Sequence, residues 1–235
     1  MRANLVRPQA RIAGMCDMSP HGSHDHYGFL VDCDEIRRLV AETERVIREV
    51  PDVTARLEAL KPAFSQLLSS DGWLPAEYAS PDRRSGMGGG IGQYALYRAV
   101  DGSLCLFSLV IPPGAETPVH DHLAWGLIGV YRGRQDETVY RRTDDGTVEE
   151  RAALEVARRQ TVSAGQFYGL VPPIDDIHLV KTVSEEPSIS IHLLANDTAC
   201  VWRHRFEPES GRVAAFRSGY SNAPCPEQAR PGESR

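Results

Sequence analysis

The chain contains 235 residues, with 26 Lys and Arg against 32 Asp and Glu and a formal net charge of −6. This length favours one domain, and the acidic balance argues against a nucleic-acid binder, which needs a basic face to neutralise phosphates. No apolar run is long enough to span a membrane. The five Cys are far apart and form no C-x-x-C pair, so they indicate neither a disulfide framework nor a zinc–thiolate site. Because no apolar signal-peptide core is present near the start, we expect a cytoplasmic protein.

Two segments precede the main body of the chain. Residues 1–30 mix Pro, Gly, His and Asp without periodicity and are expected to form a flexible or extended leader. Residues 31–70 are predicted to be helical, because apolar side chains recur at helical spacing among good helix formers. Pro51 and Asp52 divide this segment, and Asp52 is the expected N-cap of the second helix. The leader also holds three closely spaced histidines, which we interpret as incidental because no regular frame fixes them: His21, His24 and His26.

From Tyr94 onward the pattern changes to short apolar or alternating runs separated by turn signals such as Asp101-Gly102 and Pro112-Pro113-Gly114. About eight strands at this spacing predict an all-β fold, either a closed barrel or a double-sheet jelly roll. Residues 223–235 are polar and rich in Pro, and we expect a disordered or surface-hugging tail there.

The strongest chemical signal is a pair of histidines in an extended segment. Gly114 is followed after five residues by His120 and then, two positions on, by His122. Alternate residues of a strand point to the same side, so both imidazoles can reach one ion inside a barrel. His178, which precedes a later β-type run, supplies a third imidazole. Three neutral imidazoles bind borderline metals and leave coordination positions open.

These segments resemble the paired motifs of the cupin superfamily, Gly114-x5-His120-x-His122 and Pro173-x-Asp175-x2-His178. Most cupins carry a Glu shortly after the second His, whereas residues 123–129 read LAWGLIG and contain no carboxylate. A three-His set of this kind is typical of the thiol dioxygenases. The string TPVHDHLAWGLIGVYRG looks like the bacterial 3-mercaptopropionate dioxygenase branch of the cysteine dioxygenase family, and ISIHLL and FRSGYSN add to a resemblance over roughly residues 70–222.

The resemblance implies a cupin double-stranded β-helix barrel over residues 31–222, with the N-terminal helices of residues 31–70 packed on it. It also implies one Fe(II) bound by His120, His122 and His178, and oxidation of a small carboxylate-bearing thiol by O2 to its sulfinic acid. Without a carboxylate ligand the iron would keep its full double charge, which favours binding of a thiolate. We expect a monomer or small homo-oligomer with no nucleic-acid or membrane partner.

A polar strand lies beside the implied metal site. Ser190 and His192 share one face of the SISIHLL run and match a Ser-His-Tyr relay of the resembled family, but the Tyr position is occupied by Leu194. Leu cannot form a hydrogen bond, so either another phenol replaces the Tyr or the substrate differs. The candidates for a replacement are Tyr94, Tyr97 and Tyr168.

The substrate carboxylate requires a cation, for which Arg offers two parallel donors. By resemblance, Arg203 is the carboxylate-binding Arg, eleven residues after His192. Alternation alone leaves its direction open, since Arg203 and Arg205 share one face of their strand. Gln93 and Trp125 are further candidates for substrate binding.

Two other functions remain open. Leu194 is also compatible with a metal-dependent cupin oxygenase that acts on a different small molecule. A non-catalytic cupin that binds a ligand or a metal is the third hypothesis.

Overall fold

The computed structural model describes residues 17–18 and 26–231. Of the three leader histidines, His21 and His24 therefore lie outside the described residues. His26 is exposed, and its main-chain carbonyl accepts a hydrogen bond from Arg98.

Two helices precede the barrel, as predicted: α1 spans Asp34–Glu49 and α2 spans Val53–Ser69. The Asp52 carboxylate accepts a hydrogen bond of 2.8 Å from the main-chain N–H of Ala55, which confirms Asp52 as the N-cap of α2. None of the described helices is both long and apolar enough to cross a membrane.

A short 3-10 helix spans Ala76–Tyr78, and the rest of the regular structure in the described residues consists of β-strands. In chain order the strands of the described residues are β1 (Asp17–Met18), β2 (Gly28–Phe29), β3 (Val31–Asp32), β4 (Gly92–Arg98), β5 (Cys105–Ile111), β6 (Val119–His120), β7 (Gly126–Arg132), β8 (Arg134–Arg142), β9 (Leu154–Ser163), β10 (Phe167–Leu170), β11 (Ile177–Thr182), β12 (Ser188–Leu194), β13 (Arg203–Glu207) and β14 (Arg212–Phe216).

These strands form two six-stranded antiparallel sheets. The helix-covered sheet has the order β10-β7-β12-β5-β4-β2, and the second sheet has the order β14-β13-β6-β11-β8-β9. β1 and β3 make a separate two-stranded ladder. Two antiparallel sheets facing one another, with helices on the outside of one, confirm the predicted all-β cupin barrel with an N-terminal helical segment.

The helix-covered sheet is buried on both faces. Its outer face packs on the helices and on the segment after α2, with Phe64 against Phe167 at 5.6 Å and Trp73 against Tyr131 at 5.1 Å between ring centroids. Its inner face lines the barrel. Every residue of β4, β5 and β12 is buried as a result, which explains why these strands appear in the sequence as continuous apolar runs rather than as strict alternation.

One disulfide is present, although the spacing of the Cys residues indicates no disulfide framework. Cys200 and Cys225 form a disulfide that joins the C-terminal tail to the loop before β13, with a sequence separation of 25 residues. Arg98 reinforces this join, because its guanidinium pairs with Asp197 at 2.6 Å and donates to the carbonyl of Pro224 at 3.2 Å. The tail therefore lies against the barrel as far as these contacts extend.

Candidate metal centre

Two paired strands and the turn after one of them bring the three predicted ligands together. His120 on β6 lies directly opposite His178 on β11, and His122 follows two residues after His120. The ring centroids of the three imidazoles are 4.8–5.0 Å apart. Their candidate ligand atoms all lie within 4.8 Å of one another, and all three residues are buried.

The hydrogen bonds of the three rings show which nitrogens remain for a metal. His120 Nδ1 lies 2.8 Å from the carbonyl of Pro118, and His122 Nδ1 lies 3.3 Å from the carbonyl of Asp176. His178 Nδ1 lies 2.8 Å from Glu137 Oε1. Because these partners are acceptors, each Nδ1 carries the proton and each Nε2 has a free lone pair.

Two observations fit this cluster to a metal. His178 Nε2 is buried and has no hydrogen-bond partner among the described residues, which is unfavourable for a polar atom unless a ligand binds it. Burial also lowers the pKa of His120 and of His122, so both are neutral near pH 7 and need not release a proton to bind an ion. Three imidazole nitrogens suit Fe, Zn, Cu or Ni and leave open positions.

Two buried carboxylates support the ligands from behind. Burial alone would raise the pKa of Glu137, but its hydrogen bonds with His178 and Gln160 outweigh burial and lower that pKa. Burial likewise opposes ionisation of Asp176, whose pKa is nevertheless lowered by His122. Asp176 Oδ1 also accepts the main-chain N–H of His122 at 2.9 Å. Two ionised carboxylates therefore contact the ligand histidines without contributing a ligand atom to the cluster.

The predicted Ser-His pair is present on the inner face of β12. Ser190 Oγ lies 3.0 Å from His192 Nε2, and the imidazole stacks on Phe107 at 4.5 Å between centroids. His192 Nδ1 is buried without a partner among the described residues. Leu194 follows on the same face and is completely buried.

None of the three tyrosines suggested as replacements bonds to His192. The Tyr94 hydroxyl donates to the carbonyl of Ser80 at 2.7 Å, and the Tyr97 hydroxyl donates to Glu44 at 3.2 Å. Both rings belong to the core under the helices. The third hydroxyl, that of Tyr168, lies 3.5 Å from His178 Nδ1. No hydrogen bond among the described residues therefore supports the suggestion that one of these phenols takes the place of the missing relay Tyr.

Arg203 lies on the inner wall, which resolves the ambiguity in the sequence. Arg205 is paired with His120, so the face shared by Arg203 and Arg205 is the face of the metal ligands. The Arg203 guanidinium donates to the carbonyls of Thr198 at 2.9 Å and Asp121 at 2.7 Å, and to the Ser218 hydroxyl at 3.0 Å.

No carboxylate of the described residues lies within ion-pair distance of the Arg203 guanidinium. Burial lowers the pKa of Arg203 to about 10, which still leaves it charged at neutral pH. Its three hydrogen bonds use three of five N–H donors. The carboxylates of Asp121 and Asp176 partly stabilise the charge from a distance, but neither forms an ion pair with the guanidinium, so this position suits an anionic ligand.

The structure separates the other two substrate-binding candidates. Gln93 is buried, and it is paired with Leu109, which is itself paired with Ser190, so Gln93 shares the inner face with the polar strand. Trp125 instead packs against the core under the helices, and Arg56 lies 5.5 Å from its ring centroid. Trp125 therefore does not join the other site residues on the inner wall.

Glu137 and Asp176 were not identified from the sequence. Glu137 lies on β8, where both faces carry polar residues, so alternation does not reveal which side faces the barrel. Asp176 lies in a loop beside Asp175, and the sequence does not distinguish the two acids.

Comparisons with known proteins give partial matches. No protein-family model matches the chain. The Schizosaccharomyces pombe Cnp3 cupin domain is 16% identical, with 46% of this chain and 62% of that chain covered and a TM-score of 0.35. A recombinant oxalate oxidase in complex with glycolate is 15% identical over 50% of this chain and 56% of that chain, with a TM-score of 0.37.

A third match is a cupin 2 conserved barrel domain protein from Salinispora arenicola CNS-205. It is 16% identical over 48% of this chain and 82% of that chain, with a TM-score of 0.35. The strand order and the inner-wall histidines described above define the class: a cupin-type barrel with a candidate three-histidine metal site.

Proposed function

We propose that the protein is a mononuclear non-haem Fe(II) thiol dioxygenase that converts a small carboxylate-bearing thiol, similar to 3-mercaptopropionate, to its sulfinic acid. One observation carries the proposal. A three-imidazole donor set without a carboxylate shares the inner wall of the barrel with Arg203, a buried cation that forms no ion pair with any of the described residues.

The three Nε2 atoms of His120, His122 and His178 would hold the iron. When bound, Fe(II) supplies the thiol activation and the oxygen chemistry of the reaction. The reaction balances without an external reductant: one thiol and one O2 give one sulfinic acid, with both oxygen atoms transferred to sulfur. Sulfur is oxidised by four electrons and O2 is reduced by the same four.

The chain's own residues bind and orient the substrate. Arg203 would pair with the substrate carboxylate through the N–H donors that its three protein contacts leave free. This fixes one end of the thiol, so that its sulfur is held near the imidazole cluster rather than diffusing freely. His192, buried and with Nδ1 unpartnered, would offer a hydrogen bond to the bound ligand.

The test is anaerobic reconstitution of the full chain with Fe(II), followed by O2 uptake and sulfinate detection on matched thiols. The panel contains 3-mercaptopropionate, cysteine, cysteamine and propanethiol. We expect sulfinate from 3-mercaptopropionate and at least tenfold lower kcat/KM for the thiols without a carboxylate. If iron binds and no thiol yields sulfinate, the proposal is wrong.

Substitution of Arg203 locates the carboxylate site. In Arg203→Met we expect KM for 3-mercaptopropionate to rise by about 10- to 100-fold, since a charged hydrogen-bonded contact contributes about 1.5–3 kcal/mol. The rate on propanethiol should change little. Arg212→Met is the matched control, because Arg212 lies on the neighbouring strand β14 and is exposed.

Leu194 favours a second candidate, a metal-dependent cupin oxygenase that acts on a small molecule other than a thiol. Where the resembled family has a phenol, this chain has a completely buried Leu. Product analysis of the iron-loaded protein with non-thiol carboxylic acids distinguishes the two candidates. A protein that retains no metal under any preparation would instead favour a non-catalytic ligand-binding cupin.

A further inference from the structure

A chain of buried polar side chains crosses the barrel interior from the second sheet to the helix-covered sheet. Each member is almost completely buried, and successive members are within hydrogen-bond distance. In order, the chain consists of Thr182 on β11, Ser188 on β12, Gln135 on β8, Ser190 on β12 and His192 on β12.

The direction of the hydrogen bonds at the first end follows from one main-chain carbonyl. Thr182 Oγ1 donates to the carbonyl of Ile111 at 3.0 Å, and a carbonyl can only accept. Thr182 has one hydroxyl proton, so the 2.5 Å contact between Thr182 and Ser188 must use the proton of Ser188. Ser188 Oγ therefore accepts from its next neighbour, which requires that the amide group of Gln135 present its NH2 there, at 2.9 Å.

The same direction continues to the imidazole. The second N–H of Gln135 points to Ser190 Oγ at a longer 3.5 Å, so Ser190 accepts on that side. The Ser190 hydroxyl is then free to donate to His192 Nε2 at 3.0 Å. A neutral imidazole that accepts at Nε2 carries its proton on Nδ1. His192 Nδ1 is the buried atom without a partner among the described residues.

We propose that Gln135 is a positioning residue that fixes the tautomer of His192, so that His192 presents an Nδ1–H donor to the ligand bound beside the three-histidine cluster. The amide acts through Ser190 and does not itself contact the ligand. The identity of that ligand as an anionic thiol rests on the proposed function, but the tautomer does not.

The donor has a consequence for the class of ligand. A buried N–H without an acceptor is costly by about 1–3 kcal/mol, so the ligand gains affinity by offering an oxygen or sulfur lone pair there. An ammonium group at the same place would bring its own N–H donors against the Nδ1–H donor of His192, with no acceptor between them. The site therefore selects ligands with an acceptor at His192 and against amines in that position.

The experiment reads the tautomer directly. The full chain is labelled with 15N-histidine and measured by NMR with Zn(II) as a diamagnetic metal, and again after chelation. A His192→Asn variant identifies the signals of His192 by their absence. We expect the wild type to show protonated Nδ1 and unprotonated Nε2, with a ratio of the two tautomers above about tenfold.

Two substitutions of Gln135 test its role. Gln135→Met keeps a similar volume and removes the N–H that donates to Ser190. Ser190 can then accept from Nε2–H of His192 instead, so the tautomer ratio falls by about tenfold. Gln135→Glu, in its ionised state, accepts the hydroxyl proton of Ser190, which turns Ser190 into an acceptor for Nε2–H and inverts the ratio. Gln166→Glu is the matched control, since Gln166 is exposed and already accepts through its side-chain oxygen.

The outcomes separate this proposal from the proposed function. A wild type with protonated Nε2, or a ratio that neither Gln135 variant changes, overturns the role of Gln135. A fixed Nδ1–H tautomer that both variants disturb supports it even if no thiol is oxidised. If one variant fails to fold, the wild-type measurement and the other variant still decide.

Discussion

Replacement of Glu137 by Gln tests whether the carboxylate behind His178 contributes to metal binding. Glu137 is 1% exposed and lies 2.8 Å from His178 Nδ1. Gln has nearly the same shape and still offers an oxygen to the Nδ1–H. The substitution removes the negative charge and keeps the hydrogen bond to His178, while the Gln160 amide, which donates to Glu137 at 2.5 Å, turns to accept from the new NH2.

The expected size follows from this contact. A hydrogen bond to a charged group contributes about 1.5–3 kcal/mol, and a neutral one about 0.5–1.5 kcal/mol. The difference of about 1–2 kcal/mol corresponds to roughly 5- to 30-fold weaker metal binding. This agrees with the 10- to 100-fold losses that typically follow removal of a partner of a metal-bound histidine.

The assay is competition with a chelator of known affinity, using Fe(II) under anaerobic conditions and Zn(II) in parallel. Asp136→Asn is the matched control, because it removes one charge from the neighbouring position of β8, where Asp136 is exposed and accepts from Thr161 at 2.6 Å. Thermal unfolding verifies that both variants are folded. Equal metal affinity in Glu137→Gln and Asp136→Asn would refute the reasoning.

Three further predictions concern other parts of the chain. Leu194→Tyr and Leu194→Phe should both destabilise the protein by about 1–3 kcal/mol through overpacking. Only Leu194→Tyr restores a hydroxyl near His192, so we expect its kcat on the thiol to exceed that of Leu194→Phe by on the order of tenfold. Equal rates would show that the relay phenol is irrelevant here. Cys225→Ser should lower stability by about 3 kcal/mol, or roughly 5–10 °C in Tm, because the disulfide spans 25 residues; a reductant should reproduce this loss in the wild type and have no effect on the variant. The Asp121 carboxylate raises the pKa of His204 in the folded protein. The ion pair therefore stabilises the fold fully below the pKa of His204 in the unfolded chain, about 6.5. Its contribution is lost as the pH rises through the higher pKa of His204 in the folded protein. Since His204 is half exposed, we expect His204→Ala to cost under about 1 kcal/mol near pH 6 and less near pH 9 in denaturant unfolding, and a cost that grows with pH would contradict this.

The sequence predicts the elements whose signal is local. The two helices have an apolar stripe and an N-cap, and the His120-x-His122 spacing places two imidazoles together wherever the segment is extended. The third ligand lies in the second motif of the resembled superfamily, Pro173-x-Asp175-x2-His178, and the register of His178 opposite His120 confirms that the three meet. Within each motif the prediction depends on spacing over a few residues.

Features that depend on strand register cannot be predicted from local spacing in the sequence. Arg203 could face either side until its strand is paired with β6, and Trp125 faces the helices because they make the outside of the sheet apolar. The disulfide joins residues 25 apart, with no spacing pattern to indicate the pair. Gln135 lies on a strand with polar residues on both faces, so its inward direction appears only in the three-dimensional structure.

The charged groups of the site are segregated in a way that argues for an anionic ligand. The ionised carboxylates of Glu137 and Asp176 lie on the Nδ1 side of the imidazoles, where they are already bonded to the ligands. Apart from the three Nε2 atoms that would hold the metal, the inner-wall groups among the described residues with unused hydrogen-bonding capacity include two donors, the Arg203 guanidinium and, in the proposed tautomer, His192 Nδ1–H. The carboxylate and the thiolate of a ligand are both acceptors, so they can pair with the donors of the site. An added amine is a donor, and the carboxylates of Glu137 and Asp176 are already bonded to the histidines. The arrangement therefore favours a thiol carboxylate without an amine over an amino thiol, which the matched thiol panel measures directly.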